Sequence, residues 1–452
     1  MQPQAMPYPV VAGDSGHAGI VWHRQVGPRD PHRPRVLLVF GTRPEAIKMA
    51  PVAMALQARR DEFETWLCST GQHREMLDQA LISFGLLPDV DLQLMRPAQT
   101  LAELTARAVT ALDEVLARVE PQLVLVQGDT TSAMVGALAA YYRDIPVGHL
   151  EAGLRTGDLY QPFPEEGNRR LISAITRLHF APTVQAGRRL RREAIPAQDI
   201  LVTGNTVIDA LLHIWRRRHD ERPPAAPAAQ SECIVLLTMH RRESNGRPRE
   251  EVCRAMLELV ARNPQVSIVF PVHASPAVRE PVERLLGGQP RIRLTDPLEY
   301  SDLVGLLGAC HFVLTDSGGL QEEAPALGKP VLVLRDKTER PEAIRAGTAR
   351  LVGTSARRIL RAAEALLRDE RAYGRMAHAA NPYGDGEAAA RVVGALRCYF
   401  GLQAEPPAPF APPRRLPQPA ARPTAARPLP GLRSARPATR DGANPTPELA
   451  PV

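Results

Sequence analysis

Short apolar segments alternate with helical segments along most of this chain, and this alternation restricts the fold more than any other feature of the sequence. The segment VLLVF at 36–40 contains no polar residue, which is typical of a strand covered on both faces. Further strand candidates lie at 65–69, 123–128, 145–147, 179–183 and 200–205. Helical sequence lies between most of them, so the pattern predicts a parallel sheet with helices on both faces.

A second series of the same kind follows residue 231. Its strand candidates lie at 233–240, 266–273, 292–296, 311–316, 330–334 and 349–353. Residues 216–231, between the two series, are charged and then rich in Pro and Ala, which predicts a linker. We therefore expect an α/β chain with two doubly wound, Rossmann-like domains at 35–215 and 232–384, followed by a last helix within 385–402.

The two ends of the chain lack any periodic pattern. Residues 1–34 are polar, and residues 403–452 contain 14 Pro and seven Arg. Both ends are predicted to be disordered, because neither can bury enough apolar surface to fold. Since the tail carries most of the net charge of +7, the rest of the chain is close to neutral, which argues against a nucleic-acid-binding core.

Cysteine usage favours a reducing environment, and the hydropathy of the chain predicts no membrane span. The five Cys are far apart and form no CxxC pair, so the sequence offers neither a disulfide framework nor a zinc site. No run of about 18 apolar residues occurs, and the N-terminus has no signal-peptide core. We expect a cytoplasmic protein without a membrane span.

The loop at 148–169, GHLEAGLRTGDLYQPFPEEGNR, follows a predicted buried strand and contains Glu151, Glu165 and Glu166. Loops after parallel strands are where α/β proteins carry their reactive groups. We therefore expect this loop to form one wall of an active site. Asp129 follows the preceding strand, and two acids from neighbouring strand ends can drive their pKa values apart, as acid–base catalysis needs. Alternatively, Asp129 caps the helix that follows it.

Cations and glycines at other strand ends predict a phosphate site. Arg43 and Lys48 lie in the turn and first helical turns after the first strand, where a helix N-terminus also attracts anions. In the second domain, Ser317-Gly318-Gly319 separates a strand from a helix, so its backbone N–H groups could approach a pyrophosphate. The alternatives are a solvated Arg and Lys, and a Gly-containing turn with a capping Ser.

Three further residues of the second domain belong to the same prediction. Glu323 lies one turn into the helix after Gly319 and could accept two ribose hydroxyls, and Arg340 could add charge near the phosphates. His240 ends the strand that opens the second domain and is followed by Arg-Arg-Glu, which favours a polar crevice over a structural role. No GxGxxG follows the first strand, and the chain has no GxxxxGK[ST] and no HExxH, so no redox nucleotide, ATP-type loop or metal is predicted.

These motifs together resemble the bacterial non-hydrolysing UDP-N-acetylglucosamine 2-epimerases. The resemblance runs in order from about residue 35 to residue 400. The matching segments are FGTRPEAIKMAP, GQHREMLDQ, GDTTS, GHLEAGLRTGD, PFPEEGNR, VTGNTVIDAL, MHRRES, TDSGGLQEEAPALGKPVLVLRDKTERPE and NPYGDG. It implies a GT-B-like fold in which the two domains face each other across a cleft and the last helix packs back on the first domain.

The resemblance also implies a reaction. UDP-N-acetylglucosamine (UDP-GlcNAc) would be converted reversibly to UDP-N-acetylmannosamine (UDP-ManNAc) by loss and re-addition of UDP through a 2-acetamidoglucal, with no cofactor and no metal. Asp129, Glu151 and Glu165 would transfer protons, and His240 would assist the departure of UDP. The predicted UDP-binding and substrate-binding residues are Arg43, Lys48, Ser317, Gly318, Gly319, Glu323 and Arg340.

Two properties follow from the resemblance alone, and two other functions stay open. A second UDP-GlcNAc would bind as an activator near Gln72, His73, Arg74 and His273, although Gln72 to Arg74 could instead be a polar loop at a helix start. The chain would form a homodimer, with no nucleic acid or membrane partner, and supply ManNAc units for cell-surface polysaccharide. The alternatives are a hydrolysing relative that releases free ManNAc, and a non-catalytic nucleotide-sugar sensor.

Overall fold

The computed structural model describes residues 19–71, 74–96, 99–221, 233–239, 241, 246–273 and 275–412. The strands that precede residue 222 are β1 (Val21–Trp22), β2 (Arg35–Phe40), β3 (Glu64–Ser69), β4 (Val90–Asp91), β5 (Leu123–Gln127), β6 (Val147–Leu150), β7 (Leu178–Ala181) and β8 (Ile200–Val202). The helices of the same part are α1 (Arg43–Gln57), α2 (Arg74–Ser83), α3 (Leu101–Val119), α4 (Thr131–Tyr142), α5 (Glu165–Ile175), α6 (Val184–Arg192) and α7 (Thr206–Glu221).

The second half repeats the alternation of strands and helices. Its strands are β9 (Cys233–Thr238), β10 (Val266–Pro271), β11 (Ile292–Thr295), β12 (Phe312–Thr315), β13 (Val331–Val333) and β14 (Ala349–Leu351). Its helices are α8 (Arg247–Arg262), α9 (Pro276–Leu286), α10 (Tyr300–Ala309), α11 (Gly318–Ala326), α12 (Pro341–Ala346), α13 (Ala356–Arg368), α14 (Glu370–Ala377) and α15 (Ala388–Tyr399).

The strands form two sheets, one for each half. The first has the order β1-β4-β3-β2-β5-β6-β7-β8 and the second the order β11-β10-β9-β12-β13-β14. All pairings are parallel except that of β1 with β4. The chain changes direction across each sheet at one point, between β2 and β5 in the first and between β9 and β12 in the second. Open α/β sheets bind ligands at such points, so the topology itself marks two facing crevices.

The two halves share a hydrophobic core. Helix α7 packs against α1 of the first domain and against α10 and α11 of the second. One continuous apolar cluster contains Ile208 and Leu211 of α7 together with Leu307 and Ala324 of the second domain. Gly308 allows the closest approach, because a Cβ atom there would lie 1.8 Å from the indole ring of Trp215. Packed helices therefore form a continuous contact between the two domains.

The last helix lies on the first domain. Helix α15 packs against α1 and α7. Arg397 on α15 forms an ion pair with Glu62 at 2.8 Å, and the rings of Phe400 and Phe63 meet edge to face at 6.2 Å between centroids. The two Rossmann-like sheets and their shared helices confirm the predicted GT-B-like architecture. No helix of the described ranges is long and apolar enough to cross a membrane.

The predicted disorder of residues 1–34 is wrong for residues 19–34. Strand β1 extends the first sheet antiparallel to the edge strand β4, and Trp22 is only 7% exposed. The guanidinium of Arg118 lies over the Trp22 ring at 4.3 Å, and that of Arg24 lies over Trp66 at 4.2 Å. A strand of two residues carries no periodic signal, so only its tertiary partners define it.

Two other boundaries also differ from the prediction. Residues 216–221 of the predicted linker continue α7, where Arg218 forms an ion pair with Asp302 at 3.1 Å. At the start of the predicted disordered tail, Phe410 is buried and its N–H donates to the carbonyl of Val202 at 2.7 Å. The guanidinium of Arg391 lies 5.5 Å from the Phe410 ring centroid. Phe410 therefore anchors this part of the chain to the first domain, whereas most of residues 403–412 are exposed.

Candidate active site

The loops that follow β2 and β5 are tied together at the direction change of the first sheet. Glu45 on α1 accepts hydrogen bonds from the backbone N–H groups of Gly41 and Thr42, and its other oxygen accepts from the hydroxyl of Thr130 at 2.5 Å. Gly41 is required here, since a Cβ atom would lie 2.2 Å from the hydroxyl oxygen of Thr70. Thr130, and not Asp129, caps α4. These hydrogen bonds through Glu45 connect the start of α1, which carries Arg43, with the loop that carries Asp129.

Lys48 and Glu151 form a buried ion pair at this edge. The Lys48 Nζ lies 2.5 Å from Glu151 Oε2, and Gln127 donates to the same carboxylate oxygen. Burial would raise the pKa of Glu151, but the cations Lys48 and Arg340 outweigh burial and lower that pKa below its usual value. Glu151 also has a left-handed backbone, with φ of 65°, a conformation that non-glycine residues keep mainly where the surroundings enforce it.

Asp129 and Glu165 make different contacts from those of Glu151. Asp129 Oδ2 accepts from the guanidinium of Arg169 at 2.6 and 2.9 Å, and the Asp129 carboxyl is 27% exposed. Arg169 also contacts Glu166, which is buried and accepts from the N–H of Thr156 at 3.0 Å. Glu166 therefore stabilises the long loop. Glu165 opens α5, and its buried Oε2 has no hydrogen-bond partner among the described residues, which leaves an acceptor open to a ligand.

Helix α11 presents its N-terminus to the cleft from the second domain. Ser317 precedes the helix without making a side-chain capping bond, and Gly318 and Gly319 form its first turn. A Cβ atom on Gly318 would lie 3.0 Å from a carboxylate oxygen of Glu339, so that carboxylate lies next to the helix N-terminus. Arg241 and Arg335 bind Glu339 at 2.6 and 2.5 Å. Arginines therefore gather near this end of α11, where a helix N-terminus also favours an anion.

Glu323 and Arg43 lie beside the same helix. The hydroxyl of Tyr300 donates to Glu323 Oε1 at 2.9 Å, and burial raises the pKa of Glu323 to about 7. Burial also lowers the pKa of Arg43, whose guanidinium donates to the carbonyl of Leu298 at 3.0 Å. The neighbouring Glu323 counteracts part of that shift. Arg43 of the first domain thus reaches the second domain near Glu323.

Arg340 connects the two halves of the site. Its Nε donates to Glu322 at 2.7 Å, and its terminal nitrogens lie 3.8 Å from Glu151 and 3.5 Å from Glu339. Burial would raise the pKa of Glu339, but Arg340, Arg241 and Arg335 outweigh it and lower that pKa to about 2. Lys48, Glu151 and Arg340, all predicted site residues, therefore meet in one buried charge cluster between the domains.

Five predicted site residues are not brought to this site by the described structure. His240, Gln72 and His73 lie outside the described residues, and only the backbone of Arg74, at the start of α2, is described. His273 is exposed, and its Nδ1 accepts from the N–H of Ser275 at 3.1 Å. Among the side chains that the structure does describe, no group of three or more His, Cys, Asp or Glu is arranged to hold a metal ion.

Five residues of the site were not among those predicted from the sequence. They are Gln127, Arg169, Asn205, Glu322 and Glu339. Only Gln127 had a local signal, since it is the one polar residue at the end of an apolar strand. The others are recognisable only from the partners that the fold brings to them.

The fold and the site define a GT-B-type α/β protein with a buried cluster of carboxylates and cations between its two domains. The model of the UDP-N-acetylglucosamine 2-epimerase family matches residues 33–397, and the chain belongs to that family. The predicted family membership is thus confirmed. A protein from Ralstonia solanacearum described as a probable UDP-N-acetylglucosamine 2-epimerase is 52% identical over 373 residues, which cover 81% of this chain and 99% of that protein.

Further relatives agree in sequence and in structure. The UDP-N-acetylglucosamine 2-epimerase of Salmonella typhimurium is 51% identical over 81% of this chain and 99% of its own length. The crystal structure of the Neisseria meningitidis UDP-GlcNAc 2-epimerase bound to UDP-GlcNAc is 46% identical, with a TM-score of 0.73, over 80% of this chain and 99% of that one. The Methanocaldococcus jannaschii enzyme in complex with UDP-GlcNAc and UDP is 31% identical, with a TM-score of 0.66, over 80% and 98%.

Proposed function

We propose that this chain interconverts UDP-GlcNAc and UDP-ManNAc by inverting C2 of the sugar, through elimination and re-addition of UDP. The observation that carries the proposal is the contact of Glu151 with Lys48 and Arg340, which places an acid–base group between cations from both domains. Family membership and the UDP-GlcNAc-bound relative support the choice of substrate.

The reaction needs a general base close to cations that stabilise the negative charge of the leaving diphosphate. A carboxylate removes the C2 proton, the C1–O bond breaks, and its electron pair leaves on the diphosphate, giving a 2-acetamidoglucal and UDP. UDP then adds back to C1 while a proton is delivered to the other face of C2. General bases act within hydrogen-bond reach, and cations stabilise the charge that develops on the leaving diphosphate.

The charge cluster suggests how the substrate activates the base. In the cluster Glu151 is held ionised by Lys48 and Arg340, and a carboxylate so well paired is a weak base. A diphosphate that enters between the domains competes for both cations. Each cation that turns toward the phosphates raises the pKa of Glu151 and increases its basicity. Binding of the diphosphate end thus prepares proton transfer at the sugar end.

The other predicted residues take complementary roles in this scheme. Asp129 and Glu165 take part in proton transfer together with Glu151, and His240 assists the departure of UDP. Helix α11, from Ser317 to Gly319, binds the diphosphate together with Arg43 and Arg340, and Glu323 accepts the ribose hydroxyls. The scheme uses no redox cofactor and no metal. We expect the variants Asp129→Asn, Glu151→Gln and His240→Ala each to lose most turnover while they stay folded. Near-normal activity in any one variant would show that the substituted residue has no part in the scheme.

Family membership also motivates proposals about activation, assembly and biological role. Gln72, His73, Arg74 and His273 would bind a second UDP-GlcNAc as an activator, so the UDP-ManNAc kinetics would be sigmoidal until trace UDP-GlcNAc is added. We also propose a cytoplasmic homodimer that supplies ManNAc units for cell-surface polysaccharide. Light scattering at the monomer mass would refute the dimer, and hyperbolic kinetics without activator would refute the second site.

Proton NMR of UDP-GlcNAc incubated with the purified protein in D2O tests the proposed reaction. Deuterium at C2 in a mixture of gluco and manno UDP-sugars is the expected result, because protons return to C2 from solvent. Free ManNAc with stoichiometric UDP would instead identify a hydrolysing enzyme. An unchanged spectrum from folded protein that binds UDP would favour a nucleotide-sugar sensor.

A further inference from the structure

Asn205 joins two carboxylates that come from different domains. It lies between β8 and α7, where its backbone N–H donates to the carbonyl of Tyr383 at 2.6 Å and its Oδ1 accepts from the N–H of Val207 at 3.1 Å. The Oδ1 is therefore occupied, and the amide NH2 must face the other way. It donates to Glu322 Oε2 at 2.6 Å and to Glu151 Oε1 at 3.3 Å. The orientation of the Asn205 amide is fixed by this pattern.

Glu322 is the second half of this connection. Its side chain on α11 is 2% exposed, and its other oxygen accepts from Arg340 Nε at 2.7 Å. Arg340 is also the second contact of Glu151 Oε1, at 3.8 Å. Both partners of that oxygen thus bind Glu322 more closely than they bind Glu151. Lys48 and Gln127 hold only the opposite oxygen, Oε2.

We propose that Glu322 and Asn205 are positioning residues for Glu151: Glu322 draws Asn205 and Arg340 away from Glu151 Oε1, and the longer Asn205 hydrogen bond orients that oxygen for proton transfer. If Glu322 were absent, Asn205 and Arg340 would turn fully to Glu151 and bind it as a carboxylate. If Asn205 were absent, Glu151 would lose its hydrogen-bonded link to α11 and keep only the 3.8 Å contact with Arg340. Since α11 also carries the proposed diphosphate site, the same link joins diphosphate binding to the placement of the base.

The electrostatic surroundings of Glu151 set the sign of each effect. The charged and titratable groups that face it are Lys48, Arg340, Arg169, Glu322 and His149. Burial raises the pKa of Glu322, and the nearby negative charge of Glu151 adds to that shift. By the same coupling, loss of the Glu322 charge should lower the pKa of Glu151. Loss of a hydrogen-bond donor to the Glu151 carboxylate should raise it.

The test compares Glu322→Gln and Asn205→Ala in the full chain, and it rests on the proposed function. Each variant is expected to lower kcat by at least about tenfold, the size of one lost hydrogen bond to a charged group, with a smaller change in KM. The acid limb of the pH profile of kcat/KM should move in opposite directions, by roughly one pH unit, downward for Glu322→Gln and upward for Asn205→Ala.

A matched control separates positioning from domain contact in general. Glu342, whose side chain is 10% exposed, accepts from the hydroxyl of Thr183 in the other domain at 3.4 Å. Glu342→Gln removes a half-buried interdomain carboxylate whose contacts are with Thr183 and Arg345, and it should leave the pH profile unchanged. The proposal would be overturned if both variants fold and the acid limb of their kcat/KM profile stays in place, or if it moves in the same direction in both. Failure of the unsubstituted protein to turn over UDP-GlcNAc would instead refute the proposed function.

Discussion

Replacing Lys48 by Met is expected to destabilise the protein by about 3–5 kcal/mol at neutral pH, the range for removing one partner of a buried ion pair. The Lys48 and Glu151 side chains are 15% and 6% exposed, and their charged atoms are 2.5 Å apart. Unit charges at 4 Å attract by about 4 kcal/mol at an effective dielectric constant of 20, so this closer pair supports the range. Methionine keeps an unbranched side chain only one atom shorter than that of lysine, so the main change is the loss of the charge.

The loss should depend on pH in a defined direction. In the unsubstituted protein the folded-state pKa of Glu151 is lowered, so ionised Glu151 stabilises the fold above its unfolded pKa of about 4.3. That contribution disappears as the pH falls through the folded pKa. Without Lys48, burial and the negative charge of Glu322 raise the folded-state pKa of Glu151. The free energy of unfolding of the variant then decreases as the pH rises above about 4.3, because ionised Glu151 is less stable in the folded chain. The difference between the two proteins is therefore largest at pH 7.5 and smaller at pH 4.5.

Urea unfolding followed by circular dichroism at both pH values measures this difference. The double variant Lys48→Met with Glu151→Gln should recover much of the loss, because a neutral amide needs no cation. Arg143→Met breaks the exposed pair with Asp113 and should change little at either pH. A loss for Lys48→Met below about 1 kcal/mol, or equal at the two pH values, would refute this account of the cluster.

Two further changes test other parts of the structure. Burial raises the pKa of Glu323 to about 7, so UDP affinity measured by calorimetry should increase from pH 6 to pH 8 as this carboxylate ionises. The variant Glu323→Gln should abolish the increase. An equal pH dependence of UDP affinity in both proteins would contradict the proposed contact of Glu323 with the ribose. Phe410→Ala should destabilise the chain by about 3–5 kcal/mol in urea, since its ring is 2% exposed, and an unchanged midpoint would mean that residues 403–412 do not anchor to the first domain.

The sequence predicted the features that depend on local pattern. Uniformly apolar strands such as β2 and β5, and the polar residues at their ends, identified both sheets and placed Glu151 and Arg340 at facing edges. A GT-B-like pairing of two such sheets then followed from the series of motifs. These elements are predictable because strand burial and strand ends are written in contiguous residues.

The features that escaped prediction depend on distant partners. Strand β1 exists because β4 offers an unpaired edge, and Phe410 is ordered because Val202 and Arg391 receive it. Asn205 and Glu322 are ordinary polar residues in sequence, and only the approach of the two domains makes them neighbours. Composition favoured disorder or solvent exposure at each of these places, and tertiary packing outweighed it.

The position of α15 has a consequence for the order in which this chain can fold during synthesis. The apolar residues Val392 and Leu396 cover α1, yet the ribosome makes them more than 330 residues after α1 ends. The first domain therefore leaves the ribosome with part of its surface uncovered, and it stays so until the whole second domain has been translated. Such intermediates expose apolar surface and are prone to aggregate. We expect nascent chains that end before residue 388 to need a chaperone, whereas chains released after α15 complete the first domain with their own last helix.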